Sequence, residues 1–597
     1  MQQENPRNMI AFVAIAFVLL TLYSMFVLGP AQKKRDQEAL QARATAAAQA
    51  KLNPTPAAPT AVTRTQALAQ SPRSPILTPA LRGSIDLRGG RLDDLYLRDY
   101  HETLDKKSPP VELFRPEGSN QAYFADFGWT GAPGAPNGST LWTKVAGEVL
   151  DPDHPVTLAY DNGQGLVFTR TIAVDKLYMF TITDQVANKS AAPVQLAPYA
   201  SVQRQGKPQL SPNLIIHEGA VGAMGEQQGL NLLAYKDFKG VGERKAETKG
   251  GWTGLTDKYW LAAVIPDQGA NVTNGYRYSQ VDGVDVYEAN YIGALRTVAP
   301  GAAIAETRHL FAGAKKVSIL KDYEARFALP HFIDAVDWGN LWFLTKPVFY
   351  VLSYFAGLTG NFGVAILLLT LVVKIALFPL AQRGFQSASR MKQLQPKLEE
   401  IRKAYEKDPA KQQQETMALY QREKVNPLAG CLPILVQLPV FYSLYKVLFV
   451  SIEMRQAPFF GWVHDLSAPD PTTFLNLFGL IPWNPALTPL IGGFLDGTLH
   501  IGVWPLLYGV GQWLSTSMTP QPSQDPTQKI IFQLMPAFFV FLMAKSPSGL
   551  LIYWSWSSAL TIAQQYVIMH RAGVENPIDA VIQKLIPTRA EPQRKQA

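Results

Sequence analysis

The chain has 597 residues, a formal net charge of +8 and a sequence pI of about 9.1, enough chain for several domains. Its basic residues gather beside apolar runs and form no single patch interleaved with aromatics, which argues against sequence-specific nucleic-acid binding. A single cysteine, Cys431, excludes an intramolecular disulfide; no Cys/His cluster has metal-ligand spacing and no P-loop occurs, so no cofactor is expected.

In chain order, residues 9–29 are apolar over a length that can cross a bilayer, and no small-residue cleavage site follows before Lys33, Lys34 and Arg35. An uncleaved N-terminal transmembrane anchor is predicted. Residues 30–80 are rich in Ala, Gln, Pro and Thr and contain no aromatic residue from Gln32 to Ala80; such a segment buries too little apolar surface to offset its ordering entropy and reads as a flexible linker. Over residues 81–325 short alternating runs, such as Gly165 to Ala173 and Tyr178 to Val186, are separated by turn signals at Asn137-Gly138, Asn162-Gly163 and Asp282-Gly283. That pattern predicts one β-sandwich. Its histidines, His101, His154, His217 and His309, fall in no motif with a mechanism.

The helical part follows. Residues 338–358 are apolar and aromatic but contain Lys346-Pro347, and are predicted to lie in the outer interface. Residues 361–380 form a span carrying one full charge, Lys374. A central lysine costs roughly 2.5 to 3.5 kcal/mol on insertion, and the apolar residues around it return about 0.3 to 0.6 kcal/mol each, so the segment still enters the membrane. Lys374 is either a functional cation or a side chain snorkelling to the nearer interface.

Residues 381–427 follow, and from Ala381 to Asn426 there are ten Lys or Arg against six Asp or Glu, which places this loop in the cytoplasm. It reads as a helical hairpin with an apolar stripe, Met391, Leu394, Leu398, Ile401 and Tyr405, broken at Asp408-Pro409. The hairpin is either a solvated spacer or a docking arm for incoming chains, ribosome or lipid head groups. Further spans are predicted at 428–450, 500–518, 529–545 and 547–569. They are separated by a periplasmic loop with an interfacial segment at 451–499 and a cytoplasmic loop at 519–528, and followed by a basic cytoplasmic tail at 570–597. The total is six spans with both termini inside.

Lys374, Gln437, Gln512, Gln533, Gln564 and Gln565 fall in the middle or cytoplasmic half of their helices, with Ser555, Ser557 and Ser558 near mid-membrane. Glutamines that only hydrogen-bond between helices are ordinary, but the shared depth favours a wet recess open to the cytoplasm.

Four segments carry a resemblance to a known family: KVNPLAGCLPILVQLPVFYSLY (424–445), RQAPFFGWVHDLSAPDP (455–471), DPTQK (525–529) and SPSGLLIYW (546–554). Together they resemble the YidC, Oxa and Albino family of membrane-protein insertases in its Gram-negative bacterial form. The resemblance implies a polytopic α-helical membrane protein: a five-helix insertase core with a cytoplasm-facing hydrophilic groove, and a large periplasmic β-sandwich similar in fold to sugar mutarotases. It implies a location in the bacterial inner membrane. It makes Lys374 the groove cation, where the family commonly has arginine, so the bidentate fork is lost. It adds Thr370, Tyr553 and Trp554 as groove-lining or substrate-contact positions beside Gln437, Gln512, Gln533, Ser557 and Gln564; Trp554 stands where a second tyrosine is often found. The implied function is insertion and folding of nascent membrane proteins, alone or with the Sec translocon, with transient ribosome contact and no enzymatic reaction. The rival readings are a small-solute transporter with Lys374 as counter-ion, and an enzyme, either sugar-active or an intramembrane Ser/Lys hydrolase.

Overall fold

Along Leu166–Val174 buried and half-buried residues alternate without a break, the period of a strand with one face on a core. The computed structural model describes residues 62–206, 208, 216–406, 408–423, 425, 432–483, 485–488, 500–518, 526–571 and 578–579. The anchor expected at 9–29, residues 30–61 of the linker expected at 30–80, residues 519–525 of the cytoplasmic loop and nearly all of the tail lie outside the described residues; residues 62–80 of that linker carry a short helix, Arg64–Leu68, and a strand, Arg73–Leu77, paired with Leu81–Asp86.

Among the described residues the strands form two antiparallel sheets, of ten and nine strands. In one, Arg91–His101, Tyr123–Thr130, Val194–Gln205 and Val284–Gly293 are neighbours; in the other, Trp260–Ile265, Ala303–Ala314, Met179–Asn188 and Leu166–Val174. Strand alternation does not account for the charged cluster between them. Arg170 sits directly across from Asp184 and binds it through Nε at 2.7 Å and a terminal nitrogen at 2.9 Å. Arg308 also donates to Asp184, as does Trp129 Nε1 at 3.0 Å. The two arginines reach the opposite sheet, at the carbonyls of Gly89 (3.1 Å) and Tyr199 (3.0 Å). Burial alone would raise the Asp184 carboxyl, but the flanking guanidiniums hold it below the usual carboxylate range.

The sheets lead through α1 (Val317–Arg326) to α2 (Trp342–Thr359), which ends at Gly360 with φ 67°, the left-handed stop that glycine takes without steric cost. Asn361 Oδ1 accepts the backbone N–H of Val364 at 3.1 Å and so starts α3 (Phe362–Gln393). This helix runs beyond residue 380, where a loop was expected, straight into the first arm of the hairpin. Pro379 lies inside it; a proline costs one i to i−4 bond without ending a helix that other contacts hold. The hairpin continues as α4 (Gln395–Ala404) and α5 (Pro409–Arg422), the latter capped by Asp408, whose carboxylate accepts the Lys411 N–H at 3.1 Å.

Four more helices complete the bundle: α6 (Leu432–Val450), α7 (Val503–Met518), α8 (Pro526–Met543) and α9 (Ser548–Arg571). The helix α9 packs on α3, α6 and α7, while α8 packs on α7. Close approach at α7 needs its glycines: a Cβ on Gly509 would sit 2.3 Å from Val540. Among the described residues one segment, Phe362–Gly384, meets both length and apolarity for a crossing on its own, and Gln437–Val450 and Leu534–Met543 are shorter apolar stretches. The expected six-span count therefore rests on helices that fall short of that test, together with an anchor outside the described residues.

The β domain is joined to the helices by polar contacts. Lys446 on α6 is 1% exposed and pairs with Asp337 at 2.7 Å. Asp337 also accepts the His217 backbone N–H at 2.8 Å. Glu453 accepts the N–H of Val317 at 3.1 Å, Arg455 donates to the His101 carbonyl, and Gln456 donates to that of Thr103 at 2.9 Å. Burial would raise the Asp337 carboxyl, yet Lys446 wins and holds it low.

Removing the charge that faces Lys446 is therefore expected to cost more than removing the pair. Asp337→Asn should destabilise the chain by about 3–5 kcal/mol, and the Asp337→Asn/Lys446→Met double variant by much less, measured by unfolding in detergent. Because the folded carboxyl lies below its unfolded value of roughly 3.9, the wild-type advantage should persist above that pH and fade as pH falls through the lower folded value.

Candidate functional site: a cation between two helices

The sequence of α3 separates two flanks. Ala365, Ile366, Leu369 and Thr370 are buried, whereas Leu371, Val372, Ile375 and Phe378 are exposed. At 3.6 residues per turn Lys374 lies one turn after Thr370, on the inward side. Its Nζ donates to Thr561 Oγ1 on α9 at 2.8 Å. The long stem thus crosses to the neighbouring helix α9. Among the described residues no carboxylate lies within 4.0 Å of the ammonium. Thr370 is buried and gives its hydroxyl to the Ile366 carbonyl at 2.6 Å, so it lines the wall with its polar hydrogen already used.

On α9, Tyr553, Ser557, Thr561 and Gln565 recur every four residues and make one polar stripe. Tyr553 and Ser557 are buried. The Tyr553 hydroxyl is hydrogen-bonded to Gln437 Nε2 on α6, so two of the expected residues meet. Trp554 does not fill the place of a hydroxyl. Its ring is stacked between Phe441, centroids 4.6 Å apart and 17° between planes, and Tyr508, 5.0 Å and 22°, which fastens α6, α9 and α7 together. Gln564 is half-buried with its Nε2 unpartnered among the described residues. Gln512 is half-buried on α7, next to Gly511, whose Cβ would stand 3.2 Å from Ser558. Gln533 falls on α8, and its side chain lies outside the described residues.

The hairpin residues are not part of this cluster. Met391 ends up on α3, Leu394 is buried at the turn into α4, Leu398 and Ile401 are half-buried on α4, and Tyr405 follows it with Lys411 5.3 Å from its ring. Leu419 is buried on α5, and Lys397 pairs with Glu423 at 2.7 Å across the two arms. Much of the stripe is used inside the hairpin.

Thr561, Phe441 and Tyr508 escaped the sequence reading. The i, i+4 repeat from Tyr553 through Ser557 is the sequence signal that points to Thr561. Chemically, the site offers a fixed positive charge and hydroxyl and amide groups between apolar helices. Among the described residues no group of three or more His, Cys, Asp or Glu is placed to hold a metal.

Comparison with known proteins places the two halves of the chain. Residues 73–351 match the family described as YidC periplasmic domain, and residues 354–575 match the 60Kd inner membrane protein family. The chain is 51% identical to the membrane protein insertase YidC of Caulobacter vibrioides, over 98% of this chain and 99% of that protein. It is 44% identical to the Methylorubrum extorquens protein of the same name, over 96% of each. A crystal structure of an active YidC insertase with its first transmembrane domain resolved is 20% identical, with a TM-score of 0.34, over 82% of this chain and 91% of that one.

The Gln437–Tyr553 contact can be weighed by a double-mutant cycle of Gln437→Leu and Tyr553→Phe in detergent-solubilised protein. A coupling of about 0.6 kcal/mol, and no more than roughly 1.7 kcal/mol, is expected for an interhelical hydrogen bond of this kind.

Proposed function

Because the chain belongs to the YidC family of membrane protein insertases, we propose that it inserts and helps fold nascent membrane proteins through a hydrophilic groove built around Lys374. Its β-rich domain belongs to the family's periplasmic domain and its helical region to an inner membrane protein family. The finer arrangement is part of the proposal: six spans, both termini in the cytoplasm, α2 in the outer interface, the basic hairpin in the cytoplasm, and a groove open on that side. The Sec translocon, a transiently bound ribosome and membrane lipids are the proposed partners, and no covalent chemistry is assigned.

The observation that carries this reading is the inward ammonium of Lys374, bonded at 2.8 Å to a neutral hydroxyl. A cation at this depth attracts the acidic residues of a polar tail or loop that must cross, and a wet recess shortens the apolar barrier. Gln437, Gln512, Gln533, Ser557 and Gln564 supply exchangeable hydrogen bonds along the way, while Thr370, Tyr553 and Trp554 line and brace the walls. The substrate's apolar segment leaves past the exposed flank of α3, where Leu371, Val372 and Ile375 face outward. Its transfer out of water supplies about 25 cal/mol per Å² of apolar area. The membrane potential adds about 2.3 kcal/mol per charge per 100 mV for acidic segments moving outward.

The test is insertion of a short, acidic-tailed, single-span protein into liposomes holding only this purified chain. Wild type should insert it. Lys374→Ala should lower the yield about tenfold, equivalent to ~1.4 kcal/mol of lost attraction, and Lys374→Glu should lower it further. Insertion equal in all three would remove Lys374 from the mechanism, and no insertion by folded wild type would overturn the reading.

A further inference from the structure

Thr561 is bonded on both sides, and the two bonds fix the direction of its hydroxyl. Oγ1 lies 2.7 Å from the Ser557 carbonyl, to which it donates its only hydrogen. Toward Lys374 Nζ, 2.8 Å away, it therefore acts as an acceptor. A lysine ammonium has three hydrogens and no lone pair. One goes to Thr561, and among the described residues no other acceptor takes the remaining two. Thr561 thus anchors the cation across the α3–α9 contact without neutralising it. A carboxylate, which makes charge-assisted bonds roughly twice as strong as those of a neutral acceptor, can engage the free side of the ammonium while the hydroxyl still holds the other.

We propose that Thr561 is the positioning and specificity-determining residue of the Lys374 site: its outward-locked lone pairs aim the ammonium into the recess and keep it uncompensated, so that the site selects carboxylate-bearing segments. This inference rests on the insertase reading and deepens it. The chemistry at position 561 sets the selectivity. Serine keeps the acceptor and the donation to the 557 carbonyl. Valine keeps the shape and loses both. Glutamate places a fixed carboxylate beside the ammonium and occupies the place that the substrate's acid would take.

The test uses the full chain in phosphatidylethanolamine/phosphatidylglycerol liposomes and two single-span substrates, identical except that the translocated tail carries two aspartates in one and two asparagines in the other. The readout is the ratio of acidic to neutral insertion, which a merely structural role would leave unchanged. Thr561→Ser should keep the wild-type ratio within about twofold. Thr561→Val should lower it about threefold, and Thr561→Glu about tenfold, in keeping with the weight of one charge-assisted contact. In a Lys374→Ala background, Thr561→Val should change the ratio no further, because it acts through the lysine. Equal falls for both substrates, or a ratio unmoved by Val and Glu, would overturn the inference while leaving the insertase reading in place. Failure of wild type to insert either substrate would overturn both. Should the Glu variant fail to fold, the Val, Ser and Lys374→Ala arms decide the matter.

Discussion

The structure turns on a lysine ammonium held between two apolar helices. In hydrocarbon such a charge has three ways out: it can reach the interface, pair with a carboxylate, or be solvated by neutral polar groups that a bundle supplies. Lys374 bonds a neutral hydroxyl, with Thr561 Oγ1 2.8 Å from its Nζ. That choice constrains its surroundings. The facing helix must present a polar stripe, which Tyr553, Ser557 and Thr561 provide, and Gly511 on α7 lets that helix come close to Ser558 on α9.

A second lysine in the same region takes the second way out. Lys446 is 1% exposed and faces Asp337 at 2.7 Å. The two residues share a type and differ in what they are suited to do. Lys446 is compensated by a charge that belongs to the segment joining the β domain to α2, so its pair fixes where the two parts of the chain meet. Lys374 has no carboxylate within pairing distance among the described residues, and retains its attraction for one that arrives. Depth in the sequence does not distinguish these cases; the partner does.

Much of the architecture is legible from the sequence for physical reasons. Strand period declares itself in Leu166–Val174, the glycine stop at Gly360 follows from its freedom at positive φ, and Asp408-Pro409 is both a break and a cap. Features set by distant partners are not legible. Arg170 occupies a position that alternation assigns to the core, and only the fold brings Asp184, Arg308 and Trp129 around it. Pro379 looks like a terminus, but packing carries α3 through it to Gln393. Trp554 reads as a lost hydroxyl until Phe441 and Tyr508 are seen on its two faces.

The same distinction sorts the candidate groove residues into two groups. Tyr553 with Gln437, Trp554 with Phe441 and Tyr508, and Thr370 with the Ile366 carbonyl are already satisfied within the bundle. They resist rearrangement, because breaking them strands a polar group or opens a packed face. Lys374 and Gln564 retain hydrogen-bonding capacity that no described residue takes up. A passage for a polar chain needs both kinds: walls whose internal bonds keep their spacing as substrates come and go, and a few groups whose bonds remain to be made. On α9 the polar stripe carries a bond already made, Tyr553 to Gln437, and at Thr561 it holds the ammonium of Lys374, whose other hydrogens no described residue takes up.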